Sequence, residues 1–499
     1  MTTFAYSTES AHRTHSGLLI MPVFEGPVPG PGVRDTGLAD VFATARLTGT
    51  PGQNVLVTRR NGDGFAAEAV LLVGAGPKEE LTVSSMRRLL GRVAPTARRF
   101  GRVATTFPQA FGSRHVADAV AAAAEGLGLG AYRFTRYRSQ PDEEGQLEAV
   151  TVLGATKWDA KAAKAAKAAL KQADVTVEAV CWARDLVNTP AGDLPPAAIA
   201  DAAKAMATEV GLVCKVWNER ELEKGGFGGI LGVGRGSVNP PRLIELTYTG
   251  AGKRRPIALT GKGIAFDSGG LSIKDSKGME SMKDDMGGAA SILATMKAIA
   301  RLKPRINVIA AIPSSENMPS GSAQKPGDVI RHYGGKTSEV LNTDAEGRLI
   351  LADALAYLAE REPELIVDTA TLTGSCVVAL GTDIAGAFGN DAALVREVVS
   401  AGAAVGDLIW ELPLHRDYRR LIDSAVADMK NTGDRYGGAI AAALFLAEFV
   451  GDTPWVHLDV AGPAFSDKGN DLGPKGGTGV PARALIRFVL DRAGGGSAR

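Results

Sequence analysis

The residues best equipped for chemistry lie in two stretches where acidic side chains crowd among glycines, 262–290 and 342–355. Each follows a predicted strand or leads into a predicted helix, which is where ligands gather in open α/β sheets. Four carboxylates stand out there: Asp267, Asp285, Asp344 and Glu346. Brought together in a partly buried site, they would repel one another and take up protons unless cations neutralised them. Two divalent ions roughly 3.5–4 Å apart would do so, and bridging carboxylates suit such a pair. Asp344 and Glu346 are two residues apart, so an extended loop can aim both at one point. Taken singly, each acid reads first as a loop or N-cap residue, and spacing alone does not bring the four together.

The segments around these residues carry more. GKGIAFDSGGLSIK, MKDDMGGAA and NTDAEGRL, in this order and at this spacing, resemble the signature segments of the leucyl aminopeptidase (cytosol aminopeptidase) family. ARDLVNTP (183–190), DTATLTGS (368–375), and HLDVAG and KGGTG near the C-terminus resemble flanking segments of the same family. The likeness runs from about residue 180 to 485 and is mainly architectural before that.

That resemblance implies an enzyme that hydrolyses N-terminal residues, leucine and others, from peptides. It implies Lys262, Asp267, Asp285, Asp344 and Glu346 as ligands of two divalent ions, Mn²⁺ or Zn²⁺. Asp267 and Glu346 would bridge the ions, Lys262 and Asp285 would complete the tighter position, and Asp344 the more exchangeable one. A lysine can ligate only as the neutral amine, and a neighbouring dication would depress its pKa accordingly. Lys274 is implied as the cation that polarises the scissile carbonyl, and Arg348 as the holder of a bicarbonate that acts as general base. Met282, Asn342, Thr371, Leu372, Thr373 and Gly374 are implied to line the substrate site. A homohexamer built as a dimer of trimers follows from the same likeness. The alternative function is an additional sequence-specific DNA-binding role of a transcriptional or recombination accessory kind, as in some bacterial members of the family, and the near-zero net charge speaks against it.

Other motifs lead nowhere. GGFGGILGVGRGS (225–237) lacks the GxGxxG pattern, and GGKT (334–337) has Ile330 where a phosphate-binding loop needs its first glycine. Ser268 and Ser375 sit outside GxSxG, with no histidine placed to activate them. The six histidines form no ligand-spaced helical pair. A two-metal phosphohydrolase is the third reading, and the placement of Lys262 and Lys274 speaks against it.

The elements that must position these residues alternate. In the first part, GLLIMPVF, NVLVTRR, AVLLVGAG, RVATTF and LEAVTVLG read as strands, and 82–100 and 115–130 as helices. That alternation predicts a mainly parallel α/β sheet, macro-domain-like by resemblance. An Ala- and Lys-rich stretch, 157–189, reads as a linking helix with a solvated lysine face. PIALTGKG, INVIAAIP, LIVDTATL and WVHLDVAG read as strands of a larger domain, with helices at 281–301, 346–361 and 438–450. The expected fold is thus α/β in two domains, 1–156 and 190–499, the second catalytic and built on a mixed central sheet. The GGGSAR tail reads as frayed.

Bulk properties fit this picture. A chain of 499 residues exceeds one ordinary core. With 56 basic against 55 acidic residues, the net charge of +1 gives no global reason to bind nucleic acid or an anionic membrane. Three scattered cysteines suit a reducing compartment. The N-terminus lacks a cationic, then apolar, signal pattern, and the run 439–450 is too short for a span. The expected location is cytoplasmic.

Overall fold

The computed structural model describes residues 2–60, 64–112, 115–140 and 145–495. Most of the tail expected to fray lies outside them. The chain divides into two compact units, Met1–Cys181 with Lys468–Lys475, and Trp182–Asp467 with Gly476–Arg499. One long helix, Ala160–Asn188, runs through the division at residue 181.

In the first unit the described residues form a seven-stranded sheet. Its strand order is Thr3–Ser7, Ala149–Leu153, Arg102–Thr105, Leu18–Phe24, Ala69–Gly74, Asn54–Thr58, with Val28–Pro29 hanging off Leu18–Phe24. The strands of the main path pair in parallel, apart from the edge strand Asn54–Thr58. Leu18–Phe24 and Ala69–Gly74 are buried at every position, as befits parallel strands covered on both faces. The helices Val83–Arg98 and Val116–Gly130 supply cover. Thr3–Ser7 is a strand that the sequence does not announce. Its half-exposed alternation lies at the sheet edge, where few apolar positions are needed.

The second unit holds a nine-stranded mixed sheet. Four strands form its parallel centre in the order Trp455–Asp459, Ile366–Ala370, Ile257–Gly261, Asn307–Asn317. These are the four strands expected from their apolar runs. Strands flanking them add the antiparallel pairings: Arg242–Thr249 against Asn307–Asn317, Val213–Trp217 beyond it, and Ala385–Gly389 against Trp455–Asp459. The strand Asn307–Asn317 is long enough to pair twice, with Ile257–Gly261 early and with Gly263–Asp267 late. That second pairing sets Asp267 beside Asn317.

The helices follow the expected order. The stretch expected to be helical from 281 opens with a 3-10 turn, Met282–Met286, before the α-helix Gly287–Leu302. Gly347–Ala359 and Gly438–Ala447 complete the set. Among the described residues no helix is long and apolar enough to cross a membrane.

Candidate active site

The carboxyl ends of the central strands converge on one cavity. Lys262 directly follows Ile257–Gly261, Thr371 directly follows Ile366–Ala370, and Asp459 closes its own strand. Asp285 arrives from the 3-10 turn that leads into Gly287–Leu302. This helix start packs close to the sheet because residue 288 is glycine. A Cβ there would lie 2.2 Å from the Thr369 carbonyl oxygen.

Glu346 stands at the N-cap position of Gly347–Ala359, yet its side chain accepts no capping hydrogen bond. Its carboxylate is turned instead toward Lys262, whose Nζ lies 2.7 Å from Glu346 Oε1 and 2.7 Å from Asp285 Oδ1. The same Nζ donates to the Thr371 carbonyl at 3.0 Å. Lys274 makes the second junction, with Nζ 2.8 Å from Asp267 Oδ2 and 2.5 Å from Asp344 Oδ1. One carboxylate oxygen from each of Asp267, Asp344 and Glu346 lies within 4.8 Å of the others. The four acids that spacing alone leaves unconnected are therefore gathered.

Neutral donors hold the acids in place. Asn317 Nδ2 donates to Asp267 Oδ1 at 2.8 Å and to the Thr343 carbonyl at 2.9 Å. The Gly269 amide also donates to Asp267 Oδ1, at 2.8 Å. Thr371 Oγ1 donates to Asp285 Oδ1 at 2.7 Å.

The charge balance is incomplete. Burial pushes the Asp285 and Glu346 carboxyls above their ordinary range. Lys262 opposes this, while neighbouring carboxylates, Asp267 among them, reinforce it. Asp344 is also raised, burial again leading. Burial pulls the Lys262 ammonium down, but Asp285, Glu346 and Asp267 together outweigh it and the net shift is upward. Lys274 is likewise drawn down by burial and raised on balance by Asp267 and its partners. Four carboxyl groups thus share two ammoniums, and burial disfavours ionising all four without further positive charge.

Two further oxygens, Asp285 Oδ2 and Glu346 Oε2, are buried with no hydrogen-bond partner. Leaving such groups unsatisfied costs about 1–3 kcal/mol each or more. Buried, unpartnered carboxylate oxygens beside others of the same kind fit an oxygen-seeking divalent cation.

Arg348 lies in the first turn of the same helix that Glu346 precedes. Its Nη1 donates to the Asn431 carbonyl at 2.8 Å, while its buried Nε has no partner. Burial lowers its pKa to about 10, against the opposing pull of Glu346 and Asp459. An unpartnered, buried guanidinium N–H is suited to a small anion.

The cavity has a volume of about 510 Å³. Lys262, Asp267, Lys274, Asp285, Asp344 and Arg348 line it, as do Met282, Asn342 and the run Thr371, Leu372, Thr373, Gly374. Glu346 is absent from the lining and lies beneath it, 1% exposed. Asn342 contributes structurally too, its Oδ1 accepting from the Asp344 amide at 2.9 Å.

Three residues not singled out from the sequence also matter to the geometry. Asn317 braces Asp267. Asn431 donates through Nδ2 to the Asn342 carbonyl at 2.7 Å and, through its own carbonyl, receives Arg348. Asp459 is buried and accepts from Thr373 Oγ1 at 2.6 Å, the Leu372 amide at 3.3 Å and the Ala461 amide at 3.1 Å. A polar residue closing an apolar strand was the available signal for Asn317 and Asp459. Asn431 follows the two-residue strand Met429–Lys430 and offered none.

Comparison with known proteins agrees along the chain. A model of the cytosol aminopeptidase family's catalytic domain matches residues 181–486, and one of its N-terminal domain matches residues 22–141. A protein of Rhodococcus opacus named "Probable cytosol aminopeptidase" is 43% identical over 469 residues, covering 92% of this chain and 90% of that one. A protein of the same name from Streptomyces griseus is 43% identical over 520 residues, covering 99% of each. Among solved structures, the bottromycin maturation enzyme BotP in complex with Mn superimposes with a TM-score of 0.86 at 36% identity, covering 96% of this chain and 100% of that one. A mutant of tomato leucine aminopeptidase gives a TM-score of 0.86 at 32% identity, covering 98% of this chain and 96% of that one.

Proposed function

Because the chain belongs to the cytosol aminopeptidase family and is a peptidase hydrolase, we propose that its carboxylate–lysine cluster is a two-metal centre that releases leucine and other residues from peptide N-termini. The observation that carries this reading is the Lys262 ammonium, 2.7 Å from both Asp285 and Glu346, whose second oxygens are buried and unpartnered. Lys262, Asp267, Asp285, Asp344 and Glu346 would hold the two ions, Mn²⁺ or Zn²⁺. When bound, these would supply Lewis-acid polarisation and a water of lowered pKa, and a bicarbonate on Arg348 would supply a proton acceptor.

The side chains of this chain do the remaining work. Lys274 has 18% of its side chain exposed toward the cavity, so its ammonium can meet negative charge as it develops on the scissile carbonyl oxygen. Arg348 keeps Nε free to orient an anion while Asn431 fixes its other end. Met282, which lines the same cavity as Thr371 and Leu372, offers an adaptable apolar wall for the first side chain of the peptide. Thr371, through Asp285, and Thr373, through Asp459, lock the loop against which that peptide would lie. By family likeness the protein would work as a cytoplasmic homohexamer, a dimer of trimers.

The direct test is hydrolysis of a leucine anilide by protein loaded with Mn²⁺ or Zn²⁺, with bound metal counted on the same sample. Two ions per subunit and steady turnover are expected. A folded, metal-loaded protein that leaves the anilide intact would sink the proposal.

A further inference from the structure

The side chains at the carboxyl ends of the central strands rest on a second polar layer, buried within the sheet. It lies two residues earlier along each strand: Thr260 before Lys262, Asp368 before Ala370, and His457 before Asp459. Thr260 pairs with Asp368, and Asp368 with His457, across three parallel strands, and all three residues are buried. Alternate residues of a strand share a face, so His457 lies one layer under Asp459, about 7 Å away along the strand.

Asp368 is the centre of this layer. Its Oδ1 lies 2.5 Å from His457 Nδ1, and its Oδ2 accepts from Trp455 Nε1 at 2.6 Å. Both oxygens are occupied, and the imidazole is held from the neighbouring strand. The ring also stacks on Phe388 and on Trp455, with centroids 6.0 and 6.3 Å apart.

His457 Nε2 is buried and has no hydrogen-bond partner, so this ring gives Asp459 no hydrogen bond. What it can give is charge. Asp368 and Asp459 are 0% and 1% exposed, and among the described residues neither has a lysine or arginine in ion-pair contact. Asp459 receives only the neutral donors of Thr373, Leu372 and Ala461. Carboxylates buried without a cation are costly enough to take up protons instead. An imidazolium between the two removes that cost.

The electrostatics run the same way. Burial pulls the His457 imidazole down, but Asp368 and then Asp459 outweigh it, against Arg348, and the net shift is upward. Burial raises the Asp459 carboxyl, and His457 is the strongest influence opposing that rise.

We propose that His457 is a positioning residue for peptide binding: as a buried imidazolium held by Asp368, it keeps Asp459 ionised and so holds Leu372 and Thr373 in place for the substrate. This rests on the peptidase reading given above, in which the peptide lies against that loop.

A double-mutant cycle on the metal-loaded enzyme tests it, with leucine anilide as substrate. His457→Gln should raise KM about fivefold, with kcat changed less and bound metal unchanged. In an Asp459→Asn background, which has no charge to support, the same substitution should change KM less than about twofold. Asp368→Asn, which deprives the imidazolium of its counter-charge, should resemble His457→Gln. A parent-like KM in either single variant, or equal effects of His457→Gln in both backgrounds, would overturn the proposal. An inactive parent would instead sink the peptidase reading. Neutron diffraction from parent crystals near neutral pH decides the matter even where a variant fails to fold or the parent is inactive. Deuterons on both His457 ring nitrogens and none on Asp459 are expected; a bare Nε2, or a deuteron on Asp459, would overturn the proposal.

Discussion

Gly347 makes room for Lys262: a Cβ at residue 347 would lie 2.4 Å from Lys262 Cε and 2.8 Å from its Nζ. The helix carrying Glu346 at its cap can approach the lysine only because this position has no side chain. Gly347→Ala should therefore push Lys262 off both carboxylates. Overpacking of this kind costs about 1–3 kcal/mol, and turnover should fall further than that stability loss explains. A variant with the activity and metal content of the parent would contradict this reading.

Lys274 touches Asp267 and Asp344 from the cavity side. Lys274→Ala should lower kcat about 10²–10³-fold, the scale for losing one oxyanion donor, with bound metal nearly intact. If metal is lost along with activity, the residue is a structural member of the cluster and its catalytic assignment fails.

Glu346 and Asp285 each leave one buried oxygen without a partner. Glu346→Ala should reduce metal occupancy at both proposed positions, as counted by elemental analysis. In the parent, dialysis against a chelator should lower Tm, because a ligand bound only by the folded state stabilises it. A Tm indifferent to added Mn²⁺ or Zn²⁺ would count against resident metal.

Asp459 ties Leu372, Thr373 and Ala461 into one arrangement. Asp459→Ala should free the loop at Thr371 to Gly374, raising KM for peptide amides more than it lowers kcat. Asp459→Asn, which keeps an acceptor, should recover part of the loss. Equal damage by both variants would point to the charge rather than the anchoring.

Cys376 is buried, and burial, helped by Asp459, raises its thiol pKa to about 12. At pH 8 it should resist alkylation in the native protein and react only after denaturation. Mass spectrometry of iodoacetamide-treated native protein should find any label on Cys181 or Cys214 alone.

The centre of the sheet was legible because Ile257–Gly261, Asn307–Asn317, Ile366–Ala370 and Trp455–Asp459 are buried on both faces and so read as continuous apolar runs. Gly263–Asp267 and Ala385–Gly389 were hidden by their glycines, which weaken any strand signal. In the site, motif likeness marked residues that the cavity does bring together, from Lys262 to Gly374. Their supports escaped notice for a physical reason. Asn431 acts on Asn342 and Arg348 from more than 80 positions away, and no local pattern encodes a partner set by tertiary adjacency. Glu346 shows the converse. Local rules made it an N-cap, and it holds that backbone position while its carboxylate serves Lys262.

The place of Trp455–Asp459 in the sheet has a consequence for biosynthesis. This late strand lies between Ile366–Ala370 and Ala385–Gly389, both made long before it. Until it emerges from the ribosome, the earlier two strands have an open gap between them, and Asp459 is not there to anchor the loop after Ile366–Ala370. The cleft can then close only after residue 459 has been made. Translation itself would delay the onset of peptide cleavage until the protein can fold around it.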